Sequence, residues 1–211
     1  MIVKFDPQGN VRMTLGRKPE AVDWMERFIQ RGEKETERYP TGTMGTFNRP
    51  TDIAFDAQDN IFVSDGYGNS RVVKIAKDGT WVRAVGTHGS GQDQFSTPHG
   101  IAVDPKEGLV YIADRGNLRI QVYDTDLNFK KTITGVAMPW SVQVTPKYIY
   151  SSDGTGKLYQ LDHSGKLLGW TQTGLGYGQT GCIIHSLHAE SDTVLYRGSC
   201  SEWDVEKITI E

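Results

Sequence analysis

Along most of the chain apolar residues recur at every second position in short runs, and each run ends in a cluster of turn-forming residues. Met1-Ile2-Val3-Lys4-Phe5 already alternates in this way. The pattern is clearest in the middle, where segments at about 100–104, 109–114, 119–124 and 128–134 read as four consecutive strands. Lys77-Asp78-Gly79 and His163-Ser164-Gly165 stand where such hairpins must reverse. A helical period appears only at 20–31. There Ala21, Trp24, Met25, Phe28 and Ile29 share one face behind Pro19, which predicts a short helix within a connection spanning 18–47. Its apolar face is expected to pack on the strands.

The strand groups repeat. Arg49-Pro50-Thr51-Asp52-Ile53-Ala54-Phe55-Asp56 aligns with Thr97-Pro98-His99-Gly100-Ile101-Ala102-Val103-Asp104. Downstream, Ile61-Phe62-Val63-Ser64-Asp65 matches Val110-Tyr111-Ile112-Ala113-Asp114. A third copy starts at Met138-Pro139-Trp140-Ser141-Val142, and a more diverged fourth at Ile184-His185-Ser186-Leu187. Four antiparallel strands in each unit of about 40–48 residues predict the blades of a β-propeller, an all-β single domain over 1–211. The hairpin at the start matches only the third and fourth strands of a further blade. Either the C-terminal strands complete that blade, giving about five, or the chain is a fragment of a larger, six-bladed ring; the length favours the fragment.

Composition narrows the picture. The chain of 211 residues carries 24 glycines, a turn-rich excess that suits many short strands. Its net charge of −3 without a basic run gives no footprint for nucleic acid. No apolar stretch is long enough to span a membrane, and no basic segment leads into an apolar run at the N-terminus as a secretory signal would. Cys182 and Cys200 lie equidistant from a turn near residue 191, so they are expected either to pair across two strands or to stay as buried thiols.

The run Pro-x-x-Ile-Ala-x-Asp followed by Tyr-Ile-Ala-Asp-Arg-Gly-Asn-x-Arg-Ile-Gln-Val-Tyr-Asp, within 98–124, resembles the NHL repeat. A narrower resemblance lies inside it. Val63-Ser64-Asp65-Gly66-Tyr67-Gly68-Asn69-Ser70-Arg71, with Pro98-His99 and Ala113-Asp114-Arg115, resembles the core of the peptidyl-α-hydroxyglycine α-amidating lyases. That family consists of zinc-dependent propellers that split a C-terminal hydroxyglycine into a peptide amide and glyoxylate. The resemblance implies that Tyr67 is the catalytic base, Arg115 the active-site arginine, and His99 and His185 zinc ligands. Neutral imidazoles would hold zinc with an open position, and arginine would grip the substrate carboxylate.

The sequence departs from the family at several points. A third zinc histidine and a second active-site arginine, both early in the family's domain, have no counterpart here. Gly68 replaces a cysteine, and Ser186 stands where the family has an aspartate that helps bind a structural calcium, so a calcium site is not carried over. His188 is a candidate additional zinc ligand. Arg71 and Arg119, with Asp65, Asp114 and Asp153, recur in register and are expected to be structural; His88 and His163 fall in turns and are expected to be solvated.

Two functions compete on these residues. One is a zinc lyase; the other is a non-catalytic NHL scaffold that binds a peptide or protein on one face, and either would take a peptide or small-molecule ligand at the channel. Open blade edges also predict a homo-oligomer. A lactonase-like hydrolase has no Glu-Asn-Asp metal set in register to support it.

Overall fold

The computed structural model describes residues 1–16, 44–174 and 182–210. The helix expected at 20–31 lies outside the described residues. The first element is a hairpin of β1 (Ile2–Phe5) and β2 (Val11–Leu15). Four blades follow. Blade I comprises β3 (Asp52–Phe55), β4 (Ile61–Asp65), β5 (Arg71–Ile75) and β6 (Trp81–Val85), each antiparallel to the next. A short parallel pair, β7 (Thr87–His88) and β8 (Gln94–Phe95), leads to blade II. That blade holds β9 (Pro98–Asp104), β10 (Leu109–Asp114), β11 (Arg119–Asp124) and β12 (Phe129–Ile133). Its bounds fall within two residues of those the alternation predicts. Blade III is β13 (Pro139–Val144), β14 (Ile149–Asp153), β15 (Lys157–Leu161) and β16 (Leu167–Gln172). Blade IV is three-stranded: β17 (Ser186–Ala189), β18 (Val194–Ser199) and β19 (Asp204–Thr209).

The turns form for the reasons the sequence suggests. Gly79 and Gly165 close tight reversals at φ 92° and 95°, and their amides donate to the Ala76 and Asp162 carbonyls at 2.8 and 2.9 Å. Only glycine adopts such φ values without strain.

Each blade buries one face against its neighbour, so the core is a series of wedges between blades. Phe62 and Val72 of blade I meet Ile101, Val110 and Tyr123 of blade II. Tyr111 and Ile120 of blade II meet Val142, Ile149 and Leu161 of blade III, and Tyr150 and Leu158 meet Leu187 and Leu195 of blade IV. Leu15 of the hairpin packs with Ile61 and Val63 of blade I. No such cluster among the described residues joins blade IV to the hairpin. The innermost strands β3, β9, β13 and β17 lie side by side about the axis. Asp52 ties the first two, since its Oδ2 accepts from the Ile101 amide of β9 at 3.0 Å.

The recurring Asp and Arg residues are clamps. In blade I, Asp65 accepts from Arg71 Nε at 3.1 Å, Asn69 Nδ2 at 2.6 Å and the Asn48 amide at 2.9 Å. In blade II, Asp114 accepts from Arg119 Nε, Asn117 Nδ2 and the Ser96 amide, each at 2.8 Å, while Arg119 also donates to the Gly91 and Gln94 carbonyls. Each clamp therefore fastens the segment entering a blade to that blade's middle strands. The two histidines expected to be solvated are both half-buried. His88 sits in β7 within 3.5 Å of Ser70 Oγ, and His163 Nε2 donates to the Thr145 carbonyl at 3.1 Å.

Candidate functional site

The repeat register explains how the site is assembled. Thr51, His99, Trp140 and His185 occupy equivalent positions, at or just before the start of the innermost strand of blades I to IV. The last three pack against one another although up to 86 residues separate them in the chain. Thr51 Oγ1 donates to the Pro98 and His99 carbonyls, each at 2.9 Å, and so fixes the start of β9.

Tyr67 reaches the same point from the loop after β4. Close approach of backbone makes that possible: a Cβ on Gly66 would lie 1.8 Å from the Pro98 carbonyl oxygen. Only a residue without a side chain lets this loop rest on β9. The Tyr67 hydroxyl then lies 3.0 Å from His99 Nε2, with the two rings edge to face. Arg115, in the 3-10 turn after β10, points NH1 at the same hydroxyl from 3.5 Å, at the outer limit of a hydrogen bond.

His99 is held from its other side. Its Nδ1 lies 2.6 Å from the Trp140 carbonyl oxygen, which can only accept, so Nδ1 carries the proton. The neutral ring thus turns the Nε2 lone pair toward Tyr67. Burial pulls the His99 imidazole down to about 4; its bond to Trp140 opposes that shift, whereas His185 and Arg115 add to it. His185 is also lowered, by burial and then by Arg115. Both rings are therefore neutral near pH 7, and their centroids lie 5.0 Å apart.

Trp140 is the residue that sequence reasoning missed. Its indole carries the Arg115 guanidinium at 3.8 Å from the ring centroid, and it packs against both His99 and His185. The repeat alignment held the signal, because Trp140 aligns with His99, but the change of residue type hid it. Arg115 makes no ion pair with a described carboxylate. Two neutral imidazoles, a phenol and one cation leave the site with a positive charge, suited to an anionic group.

Tyr67, His99, Arg115 and His185 thus share one site, whereas His188 does not join them. It is exposed on β17 and faces the Tyr196 ring of β18. Among the described residues no group of three His, Cys, Asp or Glu side chains could hold a metal together. Cys182 and Cys200 form a disulfide, Cα–Cα 5.6 Å, which anchors the segment that carries His185. The alternative of two free thiols is excluded.

The NHL repeat family matches residues 47–75 and 95–123. The chain is 40% identical over 92 residues to the peptidylglycine alpha-amidating monooxygenase of Rattus norvegicus, a match covering 41% of this chain and 9% of the relative. It is 37% identical over 82 residues to the NHL repeat-containing protein 3 of Homo sapiens, covering 38% and 23%. It is 29% identical over 132 residues to the peptidyl-alpha-hydroxyglycine alpha-amidating lyase 1 of Drosophila melanogaster, covering 56% and 24%. The matches thus span less than a quarter of each of these relatives. Among solved structures, a streptogramin B lyase shares the fold with a TM-score of 0.58 at 12% identity, covering 82% of this chain and 58% of that one. The glutaminyl cyclase of Myxococcus xanthus does so with 0.56 at 18%, covering 81% and 68%. The chain is a β-propeller that carries NHL repeats over 47–75 and 95–123 and resembles the amidating lyase.

Proposed function

We propose that this NHL propeller is a zinc-dependent lyase that cleaves peptides ending in α-hydroxyglycine to the peptide amide and glyoxylate. The observation that carries this reading is the Tyr67 hydroxyl, held 3.0 Å from His99 Nε2 and 3.5 Å from Arg115 NH1 at the meeting of the blades. The donor chemistry fits a zinc ion. His99 presents its Nε2 lone pair, which the Tyr67 hydroxyl faces at 3.0 Å, because Trp140 holds its Nδ1 proton, the arrangement typical of ligating histidine. His185 is neutral beside it. These two imidazoles would be the protein ligands, leaving positions open for substrate and solvent. Zinc bound there would polarise the hydroxyl of the substrate.

Arg115, without a carboxylate partner among the described residues, binds the substrate's terminal carboxylate and orients the carbinolamide carbon toward Tyr67. Tyr67 is the general base that takes the hydroxyl proton. The electrons of that O–H bond form the aldehyde C=O of glyoxylate as the C–N bond breaks. The departing nitrogen takes that proton back from Tyr67, which is restored as the base, and leaves as the amide. The stacked Trp140 keeps the guanidinium fixed while this happens.

Two measurements test the reading. Zinc content after equilibration with excess Zn²⁺ should approach one ion per chain, and His99→Ala should lose it. Zinc-loaded protein should release glyoxylate from an α-hydroxyglycine peptide. Absence of stoichiometric zinc uptake, or zinc uptake without glyoxylate, would overturn the proposal.

A further inference from the structure

A second cavity opens at the opposite end of blades II and III. His99 stands near the start of β9 and Asp104 at its end, roughly 16 Å along the strand. The cavity, of about 460 Å³, is bounded by the turns after β9, β13 and β15, and Asp104, Glu107, Leu109, Tyr111, Val144 and His163 line it. That volume lies within the range of small-molecule sites.

Two oxygens on its wall, the Tyr111 hydroxyl and Asp104 Oδ2, accept no hydrogen bond from a described residue. Tyr111 is fully buried, and its hydroxyl has no hydrogen-bond partner. An unpaired buried hydroxyl destabilises a folded protein, so it calls for an explanation. His163 Nε2–H is committed to the Thr145 carbonyl. Its Nδ1 faces Asp104 Oδ2 at 3.6 Å, beyond hydrogen-bond distance. Asp104 Oδ1 is already used by the Lys106 and Glu107 amides, at 2.9 and 3.2 Å. Two carboxylates, Asp104 and Glu107, outweigh the single positive charge of Lys106 at the rim, and Leu109 and Val144 supply apolar wall.

We propose that this cavity binds a small primary amine with an apolar body. An ammonium group has three donors and no acceptor; two would meet Asp104 Oδ2 and the Tyr111 hydroxyl oxygen, and the third stays with solvent at the rim. The apolar body lies against Leu109 and Val144. This site is independent of the lyase reading, since it shares no residue with the cluster around Tyr67.

Benzylamine is a suitable probe, with benzyl alcohol as its uncharged counterpart, titrated into ¹⁵N-labelled full-length protein at pH 8. Saturable shifts confined to residues around 104–109, 144–146 and 163 are expected, with at least fivefold weaker binding of the alcohol. Tyr111→Phe removes only an unpartnered hydroxyl, so the fold is retained; binding should weaken about tenfold, the loss expected for one hydrogen bond to a charged group. Asp104→Asn keeps the acceptor for the two amides and should weaken binding further. No saturable shift, shifts elsewhere, equal binding of amine and alcohol, or unchanged affinity in Tyr111→Phe would each overturn the proposal.

Discussion

At the residue scale, the site depends on how few contacts fix each side chain. Arg115 is positioned by the face of one indole. A cation on an aromatic face is worth about 0.5–2 kcal/mol, depending on its desolvation, so Trp140→Leu should lower glyoxylate release several-fold to about thirtyfold. Zinc affinity should change little, because the bond that orients His99 comes from the Trp140 backbone. Kinetics beside zinc titration of this variant check the prediction. His99 also sets a pH dependence. In protein freed of metal by a chelator, its folded value of about 4 lies below its ordinary 6.5. The unfolded chain therefore binds the proton more readily, and folding stability is lost as pH falls from 6.5 toward 4. The full linkage would be about 3 kcal/mol, and denaturant midpoints across that range, compared with those of His99→Gln, measure it. The residue scale was also the most unevenly legible in the sequence. Tyr67, His99, Arg115 and His185 were singled out from motif resemblance, and the fold brings all four together. Trp140 escaped because its type differs from its aligned partner. His163 was misread as solvated because its contacts come from turns in neighbouring strands and blades that no local pattern links.

At the scale of elements, strand alternation and turn glycines gave blade II almost its true bounds, since each period-2 run has one face to bury. The clamps and close approaches were less visible. Asp65 and Arg71 recur in the sequence, but their cost when broken follows from burial: their side chains are 0% and 2% exposed. Arg71→Leu strands a buried carboxylate and should cost about 3–5 kcal/mol, whereas Lys77→Ala, which breaks a pair exposed on both sides, should leave stability nearly unchanged. Equilibrium unfolding of the two variants would separate them. Gly100 sits beside His99 where a Cβ would meet Ser141 Cα at 2.7 Å and the Trp140 carbonyl oxygen at 2.9 Å. Gly100→Ala should push β9 from β13 and loosen the very carbonyl that holds His99, reducing both stability and zinc affinity. The disulfide closes a separation of 18 residues; Cys182→Ser with Cys200→Ser should cost about 3 kcal/mol and free the segment before β17 that holds His185.

At the scale of the whole molecule, no blade owns the site. Tyr67 comes from blade I, His99 and Arg115 from blade II, Trp140 from blade III, and His185 from the segment entering blade IV. The core consists of wedges between neighbouring blades, so the same packing that stabilises the propeller sets the distances on which the chemistry depends. The central claim is that this convergence makes Tyr67 a base acting on a substrate held by Arg115 and zinc. The most direct test is glyoxylate release from an α-hydroxyglycine peptide by zinc-loaded wild type and Tyr67→Phe, with zinc content measured on the same samples. The account predicts release by the wild type, a loss of at least a hundredfold in Tyr67→Phe, and equal zinc in both. Full activity in Tyr67→Phe, or no release from a wild type carrying its zinc, would contradict it.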